Sequence, residues 1–232
     1  SFWAKGRYVP DSLAEAVGIL GGSFNPVHNG HLRMAIEVRE TLGLKRVDLL
    51  PARIPPHKSS SGLLPFSLRL DLVREAVQGI DGLEVSDLEG QMPVPSYSYL
   101  TLVRLAESNP DIHYVFILGG TDLLTLPEWH RGLEIPLITD IAVAGRLGVG
   151  AEMIDGFLDA HWTWIKEESC ARQVVGGKRV FFVSLPRLDI SASLVRDRFQ
   201  QGRDVAGLVP EAVRRRMLAE PRIFNDYWSL LP

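Results

Sequence analysis

The sequence predicts an α/β fold, a doubly wound open parallel sheet with helices on both faces and a short C-terminal helical part. Two observations lead to this class. Short apolar runs alternate with amphipathic segments from residue 17 onward, which is the pattern of strands and helices that follow one another along the chain. One run, residues 113–118, is rich in β-branched and aromatic residues, as is typical of a buried parallel strand. With 232 residues, 46% of them hydrophobic, the chain is long enough for one such domain with a small appendage.

The periodicity assigns the elements in order. The first strand, residues 17–21, leads through glycines into a helix over 31–42, whose apolar stripe ends at Gly43. Further strands are expected at 46–50, 83–86, 113–118, 140–144 and 179–185, with helices at 66–78, at 152–160 and in a segment that ends at Ser108. We expect an N-terminal extension at 1–16, a main domain at 17–220 with a peripheral excursion or subunit contact at 149–178 and C-terminal helices at 191–220, and a tail at 221–232.

Composition excludes several kinds of function. A net charge of -3 gives no basic surface excess, so we expect small-molecule partners rather than nucleic acid. The single cysteine, Cys170, excludes an internal disulfide framework and a multi-cysteine metal site. No apolar stretch approaches the ~20 residues of a membrane span, and the N-terminus shows no signal-peptide core. We therefore expect a protein of the cytoplasm without a membrane partner.

Residues 21–31, here called the histidine motif, join the first strand to the first helix. A strand that points into a helix N-terminus presents unpaired N–H groups and the positive end of the helix dipole to an anion. Gly21, Gly22 and Gly30 let the backbone approach a ligand closely. His28 and His31 add two imidazole donors, three residues apart. The histidine motif therefore predicts a phosphate site.

A second anion site is predicted after the last strand. Ser191 and Ser193 place two hydroxyls at a helix N-terminus, and Arg196 follows within the first two turns. Both predicted sites lie at carboxyl ends of strands, where doubly wound sheets bind nucleotides. If the first and last strands lie near the crossover point of the sheet, the two sites face each other, as a triphosphate requires.

The histidine motif resembles the opening motif of the nucleotidylyltransferases, in particular the bacterial nicotinate mononucleotide adenylyltransferases. It matches Gly-Gly-x-Phe-(Asp/Asn)-Pro-x-His-x-Gly-His over eleven positions. The resemblance continues through a Pro-x-x-x-Pro-Pro-His-Lys loop at 51–58, a Ser-Tyr-Ser turn at 96–98 and Trp129. The serines and arginine after the last strand are similar to the superfamily's Ile-Ser-Ser-Thr-x-Ile-Arg motif, and the likeness ends near Met217.

The chain departs from the family pattern at four places, of which the smallest is Ala192 and Ser193 after the last strand, where the final hydroxyl of the motif is kept. Leu100 stands where the family has aspartate. In the Gly-x-Asp turn of the family, Thr121 occupies the aspartate's column and Asp122 follows one place later. Leu147 replaces the proline that follows Arg146 in the family's Arg-Pro-Gly.

The resemblance implies a Rossmann-like nucleotidylyltransferase of NAD biosynthesis, which transfers the adenylyl group of ATP to nicotinate mononucleotide and releases pyrophosphate. His28 and His31 are then expected to stabilise phosphate charge. Lys58 and Arg196 are expected to hold the β and γ groups. Contacts to ATP are implied for Gly21, Gly22, Ser23, Phe24, Gly30, Gly119, Asp122, Ile190, Ser191 and Ser193. Contacts to the mononucleotide are implied for Asn25, Ser96, Tyr97, Ser98, Trp129, His130 and Arg146.

The chemistry of this reaction fits the absence of an obvious catalytic triad, nucleophilic cysteine or carboxylate pair in the sequence. The attacking group is a phosphate monoester whose second pKa is ~6, so it is already ionised near neutrality and needs no general base. We expect Mg²⁺ to arrive with the triphosphate and its water ligands, without a metal site of the protein's own.

Four alternatives stay open. Nicotinamide mononucleotide or phosphopantetheine could be the acceptor, although phosphopantetheine enzymes are typically shorter and lack an equivalent of Trp129. A nucleotide-binding regulator without catalysis would account for Leu100 and the displaced Asp122. A fragment of a tRNA synthetase would share the histidine motif but would need an anticodon-binding region and a basic surface, and neither is evident. A homo-oligomer is also left open.

Overall fold

The structure is a computed structural model that describes residues 13–56, 61–145, 150–167 and 171–230. Its strands are β1 (Val17–Gly22), β2 (Arg46–Pro51), β3 (Leu83–Val85), β4 (Tyr114–Gly119), β5 (Asp140–Gly145), β6 (Trp164–Lys166), β7 (Ala171–Val174) and β8 (Arg179–Ser184). Its α-helices are α1 (Asn29–Leu42), α2 (Phe66–Val77), α3 (Ser98–Ser108), α4 (Gly120–Leu124), α5 (Ile135–Ile138), α6 (Ala151–His161), α7 (Ala192–Gln200), α8 (Glu211–Ala219) and α9 (Pro221–Trp228).

The described strands form one sheet in the order β3-β2-β1-β4-β5-β8-β7-β6. β1 pairs in parallel with β4, β4 with β5 and β5 with β8, whereas β7 runs antiparallel to both β8 and β6. The chain proceeds from β1 to β2 and β3 on one side, and to β4 and β5 on the other. This reversal of strand order confirms the predicted α/β class with a mostly parallel sheet, flanking helices and a helical C-terminal part.

The chain forms two compact units. The first comprises the chain up to Leu20, Met34–Val47 and Ser98–Arg187. The second comprises Gly21–Arg33, Asp48–Tyr97 and the chain from Leu188 onward.

β4 and β5 supply the buried centre of the first unit. Every residue of β5 is buried, and Phe116 of β4 lies opposite Ile141 of β5 and Ile19 of β1. A strand buried on both faces reads as a continuous apolar run, which explains why the sequence located these strands. Gly18 of β1 is required by close packing, because a β-carbon there would lie 2.9 Å from Cγ2 of Val47.

A buried carboxylate ties together the starts of β4, β5 and β8. Oδ2 of Asp140 lies 2.9 Å from Nε2 of His113 and 2.9 Å from Nη2 of Arg179, and Oδ1 accepts the Arg179 N–H at 2.8 Å. Burial acts to raise the pKa of Asp140, but these hydrogen bonds outweigh it and hold the pKa below its ordinary value. The carboxylate is therefore charged and fully engaged within the first unit.

Three aromatic side chains close the C-terminal helices of the second unit. The rings of Phe199 in α7 and of Phe224 and Trp228 in α9 lie with centroids 5.3 to 6.0 Å apart, at tilted or edge-to-face angles. Phe224 and Trp228 are almost fully buried. The predicted tail at 221–232 thus contains a helix that packs into the second unit.

The predicted elements lie within two residues of the observed ones, and five of the described strands and α-helices were not predicted: β6, β7, α4, α5 and α9. β6 and β7 lie in the excursion at 149–178, and three or four residues are too few to show a strand period. Helix α4 begins at Gly120, where the sequence suggested only a strand-end turn. Within the described ranges, no helix combines the length and the apolar character needed to cross a membrane.

Candidate active site

The histidine motif leaves β1 through a tight turn in the second unit. Phe24 has a φ of 44° and is almost fully buried, so its ring packs beneath the turn rather than facing solvent. A β-carbon on Gly22 would lie 3.2 Å from that ring, and glycine therefore allows the close approach. The Phe24 side chain is enclosed by protein, and its predicted contact with ATP stays a prediction. Gly21 is exposed and Ser23 half-buried.

His28 and His31 are stacked on one another. Their ring centroids are 3.6 Å apart with an interplanar angle of 23°, and the ring centroids of Phe24 and His31 are 4.9 Å apart in an edge-to-face arrangement. The backbone N–H of His28 donates to Nδ1 of His31 at 3.2 Å. A nitrogen that accepts a hydrogen bond carries no proton, so the neutral imidazole of His31 carries its proton on Nε2. His31 thus offers Nε2–H as the donor of this ring.

Gly30 makes room for His28. A β-carbon at this position would lie 3.0 Å from Nδ1 of His28 and 3.3 Å from the carbonyl oxygen of Ile190. Both distances are shorter than ordinary van der Waals contacts, so any larger residue would displace the imidazole or the Ile190 backbone. Ile190, predicted to contact ATP, therefore lies directly against the histidine motif, with its side chain buried.

The start of α1 is partly satisfied by the protein itself. The N–H of Asn29 donates to the Leu208 carbonyl at 2.8 Å, and its Nδ2 donates to the Gly207 carbonyl at 2.8 Å. The predicted helix began at His31, whereas α1 begins at Asn29, whose N–H is paired and is therefore not available to an anion. The turn before α8 supplies the acceptors, a long-range contact that no local pattern signals.

Arg196 joins the two predicted anion stretches. Its Nη1 donates to the Asn25 carbonyl at 2.8 Å and its Nη2 to Oγ of Ser193 at 3.0 Å. Its Nε is buried and has no hydrogen-bond partner among the described residues. Burial lowers the pKa of Arg196 from its ordinary value. Ser191 caps α7, its Oγ accepting the Leu194 N–H at 3.1 Å.

The two stretches meet by a different route from the one expected. The expectation that the two sites face each other was conditional on the first and last strands lying near the crossover point, and β4 and β5 separate β1 from β8 in the sheet. The connection from β8 to α7, residues 185–191, instead carries Arg196 to the histidine motif. The strand order could not have been foreseen from the local sequence alone.

The Asn25 side chain makes three hydrogen bonds that join the histidine motif to other segments. Its Nδ2 donates to the Gly62 carbonyl at 2.8 Å, and its Oδ1 accepts the Leu64 N–H at 3.1 Å and Nε1 of Trp228 at 3.4 Å. The residue is buried. Its side chain therefore fixes the turn against α9 and the segment before α2, whereas its predicted contact with the mononucleotide stays a prediction.

The loop after β2 is held by Ser96. Oγ of Ser96 accepts the N–H groups of Arg53 at 2.9 Å and Ile54 at 3.2 Å, and the Ser96 N–H donates to the Ile54 carbonyl at 2.9 Å. Ser96 is buried and Tyr97 half-buried. Lys58, which lies further along the same loop, and Arg146 fall outside the described residues.

The remaining predicted residues belong to the first unit: Ser98 begins α3, and the others lie in a segment here called the tryptophan segment, residues 119–134. Oδ2 of Asp122, in the first turn of α4, lies 2.9 Å from where a β-carbon on Gly119 would be. Trp129 is half-buried and donates from Nε1 to Oγ1 of Thr125 at 3.2 Å, whereas Asp122 and His130 are exposed.

Tyr99 and Glu134 both contact Arg131, near the end of the tryptophan segment. The guanidinium carbon of Arg131 lies 4.0 Å from the ring centroid of Tyr99 in α3, a cation–π contact next to Ser98. Arg131 has a φ of 53° and its Nε donates to Oε1 of Glu134 at 2.8 Å. Leu100, one residue beyond Tyr99, is exposed.

Sequence reasoning missed Arg69 and Glu89. Both side chains are buried, and Arg69 has no exposed surface. A signal was present for Arg69, because it occupies the same helical stripe as Leu72, Val73 and Ala76 in α2. A charged residue in line with an apolar stripe indicates a buried charge that must be bonded.

Comparisons with known proteins show the family and the fold of the chain. The chain matches the cytidylyltransferase-like family over residues 19–198. It is 37% identical over 216 residues to a protein of Geotalea daltonii named "Probable nicotinate-nucleotide adenylyltransferase", covering 90% of this chain and 98% of that protein. A Streptococcus pneumoniae serotype 4 protein of the same name is 36% identical over 205 residues, covering 88% and 87%. A solved structure of Plasmodium falciparum nicotinic acid mononucleotide adenylyltransferase, complexed with NaAD, has a TM-score of 0.71 at 16% identity and covers 92% of this chain and 98% of that chain, which shows a shared fold.

Proposed function

The chain belongs to the cytidylyltransferase-like family, and from this premise we propose that it is a nicotinate-nucleotide adenylyltransferase. In the reaction, a 5′-phosphate oxygen of nicotinate mononucleotide attacks the α-phosphorus of ATP. A new P–O bond forms, the bond between the α-phosphorus and its bridging oxygen to the β-phosphorus breaks, and pyrophosphate leaves. The product is nicotinate adenine dinucleotide, the dinucleotide intermediate of NAD biosynthesis.

The observation that carries this proposal is the hydrogen bond from Arg196 to the Asn25 carbonyl. It brings an arginine from the far end of the chain against the motif that holds His28 and His31. Two imidazoles and a guanidinium within one compact unit are the donors that a polyphosphate needs, since cations and hydrogen-bond donors neutralise the charge that builds up during phosphoryl transfer.

In the proposed mechanism the protein aligns phosphates rather than moving protons. The second pKa of a phosphate monoester is ~6, so the nucleophile is ionised near pH 7 and no base has to act on it. His31 would donate from Nε2–H to a phosphate oxygen, because its Nδ1 is occupied by the His28 N–H. Arg196 and Lys58 would hold the β and γ groups, and Nε of Arg196 donates to no described residue.

The remaining predicted residues fall into two groups in this proposal. ATP would contact the backbone of Gly21, Gly22, Ser23, Phe24, Gly30, Gly119 and Ile190 and the side chains of Asp122, Ser191 and Ser193. The mononucleotide would contact Asn25, Ser96, Tyr97, Ser98, Trp129, His130 and Arg146. The face of Trp129 suits a cationic pyridinium ring.

Magnesium is proposed to come with ATP. Across the described residues, no group of three or more His, Cys, Asp and Glu side chains could hold a metal ion. Mg²⁺ keeps several waters and is usually bound through substrate phosphates, so the triphosphate itself is the expected carrier. When bound there, the ion neutralises phosphate charge, and no residue of this chain is assigned to it.

The test is a pyrophosphate-release assay with the purified chain, ATP and a panel of acceptors. We expect pyrophosphate and nicotinate adenine dinucleotide in equal amounts with nicotinate mononucleotide, and slower turnover with nicotinamide mononucleotide or phosphopantetheine. Faster turnover with the amide would reassign the acceptor. ATP binding without pyrophosphate release from any acceptor would favour the regulator and refute the proposal.

A further inference from the structure

Arg69 is a charged side chain with no exposed surface, on the face of α2 that packs into the second unit. Burying an arginine costs free energy unless its donors are satisfied, and replacing a buried ionic group by a hydrophobic one is often neutral or stabilising. Stability alone is therefore a weak reason for an arginine here, and its bonding partners indicate what else it does.

The guanidinium of Arg69 donates to four backbone carbonyls. Nε donates to Leu64 at 2.8 Å, Nη1 to both Ser23 and Ala52 at 2.7 Å, and Nη2 to Arg53 at 2.9 Å. These carbonyls come from three separate segments: the histidine motif, the loop after β2 and the residues before α2. A planar fork with five N–H donors can reach all of them at once, which a lysine ammonium with three donors cannot.

Both backbone polar groups of Arg53, the N–H and the carbonyl, are hydrogen-bonded to side chains. Its carbonyl accepts from Arg69, and its N–H lies 3.1 Å from Oε2 of the buried Glu89 and 2.9 Å from Oγ of Ser96. Burial lowers the pKa of Arg69 to about 10, with the charge of Glu89 acting in the opposite direction, so the guanidinium stays protonated at neutral pH. The same cation thus fixes Ser23 in the histidine motif and the start of the loop that leads to Lys58.

We infer that Arg69 is a positioning residue for adenylyl transfer. By bonding Ser23, Ala52 and Arg53 together, it holds the histidine motif and the loop after β2 in one fixed geometry. The inference rests on the proposed function, because its consequence is the alignment of the phosphates. Displacement of about 1 Å in such an alignment costs roughly 10²-fold in rate.

The test compares Arg69→Lys and Arg69→Met with Arg74→Lys and Arg74→Met. Arg74 lies on the same helix but is half exposed and pairs at 3.3 Å with Asp71 on the surface. For each variant, thermal unfolding, kcat and the KM values for ATP and nicotinate mononucleotide are measured well below the melting temperature. Arg69→Lys keeps the buried charge but loses the fork, so it should fold and show kcat and kcat/KM for ATP lowered together by about 10²-fold. The Arg74 variants should match the wild type.

A second measurement separates positioning from folding. Ser96→Ala removes the hydroxyl that accepts the Arg53 N–H, so it loosens the same segment from the other side. If both residues act through Arg53, the loss of kcat in the double variant Arg69→Lys/Ser96→Ala is smaller than the product of the two single losses. Independent, multiplicative losses would contradict a shared action.

The outcomes are distinguishable from failure of the proposed function. A wild-type chain that makes no dinucleotide refutes the proposed function and with it the premise. An active wild type with an Arg69→Lys variant of unchanged kcat overturns the inference alone. It is also overturned if neither Arg69 variant folds, since Arg69 would then be required for the fold itself.

Discussion

The histidine motif and the tryptophan segment carry predicted site residues in two different settings. In the histidine motif, Asn25 and His28 are buried, His31 stacks on His28, and Arg196 ties down the Asn25 carbonyl. In the tryptophan segment, Asp122 and His130 are exposed. Rigid, mutually bonded donors are typical of groups that stabilise a transition state, whereas exposed groups on short turns are typical of substrate selection.

This contrast predicts two kinds of kinetic defect. Changes in the histidine motif should lower kcat, because they disturb donors that act on developing charge. Changes in the tryptophan segment should raise the KM for the mononucleotide and leave kcat nearly unchanged. The contrast would be contradicted if changes in the histidine motif altered only KM, or if changes in the tryptophan segment altered only kcat.

The largest effect is expected from His31→Ala. Loss of the Nε2–H donor should lower kcat by about 10²-fold or more, the scale of removing one transition-state donor. Steady-state pyrophosphate release measures it. His161→Ala is the control, because His161 also contacts an aromatic ring, that of Phe157 with centroids 4.6 Å apart, but lies in α6 of the first unit. A near-normal kcat for His31→Ala would remove the proposed role.

Gly30→Ala should produce a smaller loss through geometry alone. The added methyl would lie 3.0 Å from Nδ1 of His28, so the imidazole must shift by a few tenths of an ångström. Because about 1 Å of misplacement costs roughly 10²-fold, this shift should lower kcat about tenfold. Alanine also favours a helix over glycine by about 0.5–1 kcal/mol, which offsets strain, so the melting temperature should change little.

Gly156→Ala is the matched control for Gly30→Ala. Gly156 lies within α6, and a β-carbon there would meet nothing within 4 Å. The substitution should raise the free energy of unfolding by about 0.5–1 kcal/mol without changing kcat. Equal kcat values for the two alanine variants would show that His28 tolerates displacement.

Trp129→Ala tests the other side of the comparison. Cation–π attraction to a pyridinium is worth about 1–2 kcal/mol, so the KM for nicotinate mononucleotide should rise about tenfold. Trp129→Phe should recover part of that loss, and the KM for ATP should stay constant in both variants. Trp164→Ala is the control, since Trp164 is also half-buried and donates from Nε1, to Asp159 at 2.7 Å. A fall in kcat with unchanged KM would place Trp129 with the histidine motif instead.

The same two regions show how far the sequence predicts the molecule. The α/β class and most strands follow from apolar runs, because strands buried on both faces leave a continuous pattern. The histidine motif can also be predicted from the sequence, since its glycines and histidines lie close together in the chain. The contacts that fix its conformation cannot be predicted from the sequence, because Leu208 and Trp228, which bond to it, lie near the other end of the chain. Long-range partners of this kind leave no local period.

Departures from the family pattern in the tryptophan segment and in α3 are harder to interpret from sequence. The shift of Asp122 by one place becomes intelligible once α4 is seen to begin at Gly120, because the carboxylate then lies in the first turn of a helix, next to Gly119. Leu100 is exposed, whereas its neighbour Tyr99 contacts Arg131. Helix α4 does not follow from the sequence pattern, since five residues are too few to show a helical period.

The smallest effect is expected behind the histidine motif, at Asp204. Its carboxylate accepts hydrogen bonds from Nε and Nη2 of Arg214, at 2.8 and 3.0 Å, and from the Ala206 N–H at 2.9 Å. These bonds shape the turn whose carbonyls accept from Asn29. The hydrogen bond from Arg214, followed by that from Ala206, lowers the pKa of Asp204 to about 2.

Because the folded state lowers this pKa, the carboxylate favours folding above its unfolded pKa of about 3.9 and loses that contribution as the pH falls toward 2. Asp204→Asn should therefore melt slightly below the wild type at pH 7, with the gap closing between about pH 4 and pH 2. The pair is exposed and screened, so the gap should be small and shrink in 1 M salt, and kcat should stay nearly constant. Glu211→Gln, which removes only a long 3.5 Å contact to Arg214, should show no gap. A difference in melting temperature that persisted at pH 2 would show that the carboxylate charge is not its cause. A tenfold fall in kcat for Asp204→Asn would show that the turn that holds Asn29 also fixes the geometry of the histidine motif.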